Sequence, residues 1–213
     1  SKLRWFAEQL PELPVIAAGS LLEFVLENPS FSMPVGRINY MYLEPFSFEE
    51  FLLAKKKEQL QNYIKNYNIK SEIPPLIHQQ LTELFKEYII IGGMPAVIKS
   101  WIEEQSLTKV NQISYDLLAT YRDDFGKYKG RLALEKLDEV LASIPLQLGQ
   151  KFICSRVNKE ATTASIKHAL KLLNRALVAH QVTSTAANGL PLGAEVNEKN
   201  FKEIFIDVGL CST

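Results

Sequence analysis

Two short strand-like runs stand apart from each other in the first 57 residues, and their isolation constrains the fold more than any other feature of the chain. Val15 to Ala18 is apolar, breaks at Gly19-Ser20, and passes into a helical stretch, Leu21 to Glu27, that stops at Asn28-Pro29. Arg37 to Leu43, RINYMYL, alternates as a second strand, and Pro45 ends it. A helix precedes the first run, with Leu3, Phe6 and Leu10 at helical spacing, and Ser47 with Glu50 makes a capping box that opens another over Phe48 to Lys57. This alternation belongs to a parallel sheet, which offers its ligand sites at the carboxyl ends of the strands. Two strands cannot close such a core. Residues 1–57 are therefore expected to be the remnant of a larger sheet and the chain to be a piece of a longer polypeptide. An uncovered apolar edge predicts that residues 1 to about 54 are partly disordered, pack on the helical region or self-associate.

From residue 58 the pattern turns helical. PPLIHQQLTELFKEYIIIGGMP places Leu76, Ile77, Leu81, Leu84, Phe85 and Tyr88 on one stripe, stopped by Gly92-Gly93 and Pro95. Pro95 to Glu104 and Leu107 to Phe125 follow as two more helices, and Tyr67 to Pro75 reads as a linker. Trp101, Tyr115 and Tyr121 are expected in the core rather than on a contact surface. The region 131–213 opens with a helix, Leu132 to Ile144, and continues with Ser165 to Leu177, whose Ile166, Leu170, Leu173 and Leu177 fall on one face. Leu177 to Thr183 and Phe201 to Val208 are strand-like, and the Gly, Pro and Asn content between them marks a long hairpin tip. Helices followed by such a hairpin outline a winged helix-turn-helix. The fold class expected is mixed α/β and mostly α, in three regions: 1–57, 58–130 and 131–213.

Lys and Arg number 24, as do Asp and Glu, so the chain lacks the global basic footprint of a dedicated nucleic-acid binder. Two cysteines, Cys154 and Cys211, lie far apart without metal-ligand spacing, which fits a reduced, cytoplasmic setting. No apolar run approaches the ~18 residues of a membrane helix. His78, His168 and His180 are isolated from one another and read as surface or packing residues. KLDEV at 136–140 reads as a solvated helix face, and Asp207 in IFIDVGL as the end of a strand entering a turn rather than a magnesium ligand. Lys167, Lys171 and Arg175, four apart, stack on one side of their helix. A recognition helix offers such a stripe to duplex DNA; a solvated face has the same pattern.

Taken in order, VIAAGSLLEF, VGRINYMYLEPFSFEEFL, YIIIGGMPAVI, YRDDFGKY and FKEIFIDVGL resemble a widespread group of prokaryotic ATPases of the AAA+ class, close to the signal-transducing STAND-like enzymes, with a following domain of unknown function. The resemblance implies that Ser20 occupies the sensor position after the Walker B strand, although a helix N-cap would serve that serine equally well. It implies that Arg37, in Gly36-Arg37, faces phosphate, against the alternative of a surface ion pair. ATP and magnesium would be cofactors of the intact parent. The chain itself lacks GxxxxGK followed by Ser or Thr, and the Walker B acid, so it is not expected to bind ATP tightly or hydrolyse it. The function expected is a fragment that couples nucleotide state to a helical and winged-helix module; the alternative is a non-catalytic DNA-binding or regulatory protein-interaction module.

Overall fold

The computed structural model describes residues 2–18, 37, 39–126 and 131–212. Its helices are α1 (Lys2–Gln9), α2 (Phe48–Ala54), α3 (Glu58–Lys65), α4 (Pro75–Ile91), α5 (Pro95–Glu104), α6 (Leu107–Gly126), α7 (Arg131–Leu146) and α8 (Thr163–Arg175). Two strands, β1 (Ala179–Thr185) and β2 (Val196–Phe205), form an antiparallel sheet, and 3₁₀ turns lie at Cys154–Arg156, Leu192–Glu195 and Gly209–Ser212. The described residues are thus mixed α/β and mostly α.

Local chemistry accounts for the helix bounds. The Ser47 hydroxyl accepts from the Glu50 N–H at 3.3 Å while the Glu50 carboxylate accepts from the Ser47 N–H at 2.8 Å, closing the capping box of α2. The helix expected to run to Lys57 stops at Ala54, because Lys56 takes φ 57° and α3 restarts at Glu58. Prolines occupy the first positions of α4 and α5, where a missing N–H costs nothing, and Gly92 at φ 78° ends α4. Thr162 caps α8 by accepting from the Ser165 N–H at 3.2 Å.

The strands expected at Val15–Ala18 and Arg37–Leu43 are not formed among the described residues: 14–18 and 39–47 carry neither strand nor helix. A strand is stable only when its N–H and C=O groups find a ladder, and no neighbouring strand supplies one to these described stretches. Their side chains stand in solvent, Ile16 at 96%, Met41 at 91% and Leu43 at 98% exposure. The helical stretch Leu21 to Glu27 lies outside the described residues.

One hydrophobic cluster runs through α2, α4, α5, α6, α7, α8 and the hairpin. α8 contributes Ile166, Leu170 and Leu173 as its spacing predicts and packs on α7, which carries Leu137, Val140 and Ile144 and in turn meets β2 with its Phe201 and Phe205; Leu177, expected on the same face, lies past the helix end at φ 58° and is half-buried. Each fully buried aliphatic side chain contributes about 1.5–3 kcal/mol. The stripe expected on α4 is partly covered: Leu84 and Tyr88 are half-buried against the cluster and Ile77 and Leu81 are half-buried, while Leu76 is 67% and Phe85 46% exposed. Its neighbours, α2, α5 and the last 3₁₀ turn, leave Leu76 uncovered, while Phe48 meets Phe85 edge-on at 5.1 Å and packs beside Tyr88. Tyr115, expected inside, is 57% exposed; Trp101 is half-buried and donates its indole N–H to Glu87, which also pairs with Lys55 at 2.7 Å.

The hairpin pairs Ala179 with Phe205 through Thr183 with Phe201, then slips so that Ser184 meets Asn197. Residues 198–200 bulge from β2 at that point. Phe152 donates its N–H to the Phe201 carbonyl at 2.8 Å, bringing the chain ahead of α8 alongside β2. Among the described residues no helix is long and apolar enough to cross a membrane.

Candidate functional site at a glycine and aspartate junction

Beyond Phe205 the chain leaves the ladder, and Asp207 turns inward to 3% exposure. Its Oδ2 accepts from the Gly93 N–H at 2.5 Å and its Oδ1 from the Leu210 N–H at 3.1 Å. Burial raises the Asp207 pKa above the usual carboxylate range, more than the Gly93, Leu210 and Gly209 N–H groups lower it. Three glycines allow this approach. A Cβ on Gly92 would strike the Asp207 carboxylate and the Gly209 nitrogen; one on Gly93, the Phe46 carbonyl; one on Gly209, the Ile91 carbonyl.

Phe46 belongs to the same knot. It donates its N–H to the Gly93 carbonyl at 2.7 Å and accepts from the Tyr88 hydroxyl at 2.7 Å. Tyr88 and Tyr121 have raised pKa values, first through burial and then through the Asp207 charge, and the same two causes push Cys211 up to about 11. The turn Gly209–Ser212 packs on α4 and α6. Three of the five stretches that carry the resemblance therefore meet here: LEPFSF through Phe46, YIIIGGMP through Tyr88, Gly92 and Gly93, and FKEIFIDVGL through Asp207 and Gly209. Both Asp207 oxygens are occupied by backbone donors, so the junction ties segments together and is not built as a general acid or base.

The residues singled out from the sequence lie elsewhere. Ser20 is outside the described residues. Arg37 is exposed and donates from Nη1 to Glu8 at 2.7 Å, while Arg4 reaches the same oxygen at 3.0 Å. Arg37 first, then Arg4, hold the Glu8 carboxyl below its usual range. Lys167, Lys171 and Arg175 are exposed on α8, away from Ile166, Leu170 and Leu173. His78 and His168 are exposed and His180 is half-buried. On α7, Asp138 pairs with Arg122 at 2.9 Å, and Glu139 accepts from Lys136 and Asn158.

Charge is unevenly divided. Residues 147–213 hold eight Lys or Arg against five Asp or Glu, and two of those acids, Glu203 and Asp207, are buried. Glu203 escaped the reading of the sequence; it lies on β2 at 1% exposure, and burial pushes its carboxyl up to about 7 against the pull of the Asn174 amide. The alternation Phe201, Glu203, Phe205 was the available signal.

The sequence holds no phosphate loop, and among the described residues no group of three or more His, Cys, Asp or Glu is placed to hold a metal. A family model described as a domain of unknown function, DUF8612, matches residues 82–213, and the chain belongs to that family. The Gly92-Gly93 turn and Asp207 both fall inside the matched range, and Phe46 falls outside it. No curated protein and no solved structure matches the chain.

Proposed function

We propose that this chain is the relay portion of an AAA+-like ATP-binding protein, in which nucleotide state is passed through the Asp207 junction to a winged-helix-like region formed by α7, α8 and the hairpin. The observation that carries the reading is the bonding of Phe46. That residue lies in LEPFSF, which the resemblance assigns to the end of the ATPase core, and it is tied to Gly93, which in turn is tied to Asp207 at the end of the hairpin. A displacement of the Phe46 segment is thus delivered to the hairpin end through a backbone bond to Gly93 and then the Asp207 carboxylate, rather than through a flexible linker. The test is the coding region upstream of Ser1. It is expected to specify GxxxxGK with Ser or Thr, then an apolar strand ending in Asp; a start codon with neither sinks the reading. Calorimetric titration of this chain with ATP and magnesium is expected to show no binding, and micromolar affinity would count against it equally.

The uneven charge favours a second reading, in which α8 docks on duplex DNA with Lys167, Lys171 and Arg175 toward phosphates. Fluorescence anisotropy with a labelled duplex across a salt series tests it. Replacing all three by Gln is expected to lower the slope of log affinity against log salt by up to ~3. Absent or salt-independent binding leaves the three as a solvated face.

A further inference from the structure

β2 carries a carboxyl in the face that packs on the helices. Phe201, Glu203 and Phe205 alternate along the strand, so all three point the same way, and all three are buried. Among the described residues Glu203 has no ion pair; its polar neighbour is Asn174, in the last turn of α8. The Asn174 Nδ2 lies 3.4 and 3.3 Å from the two carboxyl oxygens and also donates to the Leu170 carbonyl at 2.9 Å. Asn174 Oδ1 is buried and accepts from nothing.

The other groups around this contact do not supply a countercharge. The Cys154 thiol, in the 3₁₀ turn, feels the Lys167 ammonium and Glu203 in opposite senses, and burial dominates both. α7 gives the core Leu137, Val140, Leu141 and Ile144, with Gln147 buried just past its end, while its Lys136 and Glu139 pair with each other. β1 sets Gln181 opposite Glu203, with half-buried His180 beside it, and Lys202 is on the exposed face of β2. Asp207 is held by Gly93 and Leu210. Two long bonds from one amide are poor compensation for a buried carboxylate, whereas a neutral acid tolerates the site. Protonation also adds an O–H donor to a contact whose Asn174 Oδ1 lacks one.

We propose that Glu203 is a proton-operated latch between the hairpin and α8: neutral, it stays in the core and holds the last turn of α8 on β2; ionised, it draws water into that contact and loosens the helix. The latch stands on the fold alone. Its consequence for ligand binding, that α8 presents Lys167, Lys171 and Arg175 rigidly on the acid side of neutrality, rests on the DNA reading above.

The test uses the full chain labelled with ¹³C at the glutamate carboxyls. One glutamate is expected to titrate near pH 7 and to vanish from the titration in Glu203→Gln. Amide hydrogen exchange, corrected for intrinsic rates, is expected to show opening of the last turn of α8 and of β2 rising about tenfold between about pH 6 and 8, with α4 as the reference. In Glu203→Gln that rise is absent. Titration of every glutamate in the ordinary carboxylate range overturns the latch, and so does an equal pH response of α8 in the two proteins. If Glu203→Gln fails to fold, the carboxyl titration and the exchange of α8 against α4 in the unaltered chain decide the matter. Absent duplex binding at both pH values overturns the DNA reading alone, because neither of these measurements involves DNA.

Discussion

Asp207 is buried and Asn174 half-buried with its Oδ1 out of solvent, and they differ in how far their bonding is complete. Asp207 meets backbone donors on both oxygens, whereas Asn174 keeps one amide oxygen without a donor. Asp207→Asn preserves volume but turns one acceptor into a donor that must face the N–H of Gly93 or Leu210. The unsatisfied donor is expected to cost about 2–3 kcal/mol, read as a lower urea midpoint; an unchanged midpoint would show that the carboxylate does not hold the junction. Gly93→Ala addresses the same place through sterics, because its Cβ meets the backbone of Phe46 rather than a flexible side chain. Its expected cost is at least ~2 kcal/mol. Gln105 presents the opposite case: it ends α5 in the left-handed region at φ 48°, ψ 37°, exposed and without need of its side chain for the cap. Gln105→Gly is expected to stabilise by about 0.5–1 kcal/mol and raise Tm by a few degrees. A lower Tm would contradict that account.

At the level of elements, α8 is a helix whose placement follows from its own sequence. Ile166, Leu170 and Leu173 face the core at the spacing that announces them, and Thr162 supplies the cap. Thr162→Ala is expected to cost about 1 kcal/mol, measured by thermal or urea unfolding, with the basic face unaltered. The capping box of Ser47 and Glu50 and the bounds Pro95–Glu104 of α5 were legible for the same reason: the determinants lie within one turn. The strands expected at Val15–Ala18 and Arg37–Leu43 are not formed among the described residues, because an apolar or alternating run records what a segment can pair as, and the ladder it needs is not local. Glu203 was overlooked because its charge argues for solvent while the alternation of Phe201 and Phe205 turns it inward. The junction was half legible. Gly92-Gly93 and Asp207 each read as a turn, but nothing nearby announces a hydrogen bond across 114 positions.

For the molecule as a whole, the direction of its pH dependence follows from which carboxyls are perturbed and how deeply. Glu8 and Glu139 have lowered pKa values, through Arg37 and Lys136 foremost, so each stabilises above its unfolded pKa and loses that contribution as pH falls through the folded one. Both partnerships lie at the surface, where solvent and salt screen them to little effect. Glu203 and Asp207 are perturbed the other way and are 1% and 3% exposed, so their contributions outweigh the first pair. A raised acid binds its proton more tightly in the folded chain. Its stabilising contribution is complete below the unfolded pKa and is lost as pH rises through the folded one. For Glu203 that window runs from 4.5 to about 7, and the loss across it is about 3 kcal/mol. Asp207 adds to it with the same sign. The chain is therefore expected to be more stable near pH 5 than near pH 7.5, contrary to a protein held by surface ion pairs. Urea midpoints at the two pH values and constant ionic strength test this. The unaltered chain should show the higher midpoint at the lower pH, and Glu203→Gln should remove most of the difference. A midpoint that rises toward pH 7.5 would mean that the surface pairs dominate and that the Glu203 carboxyl is solvated in solution.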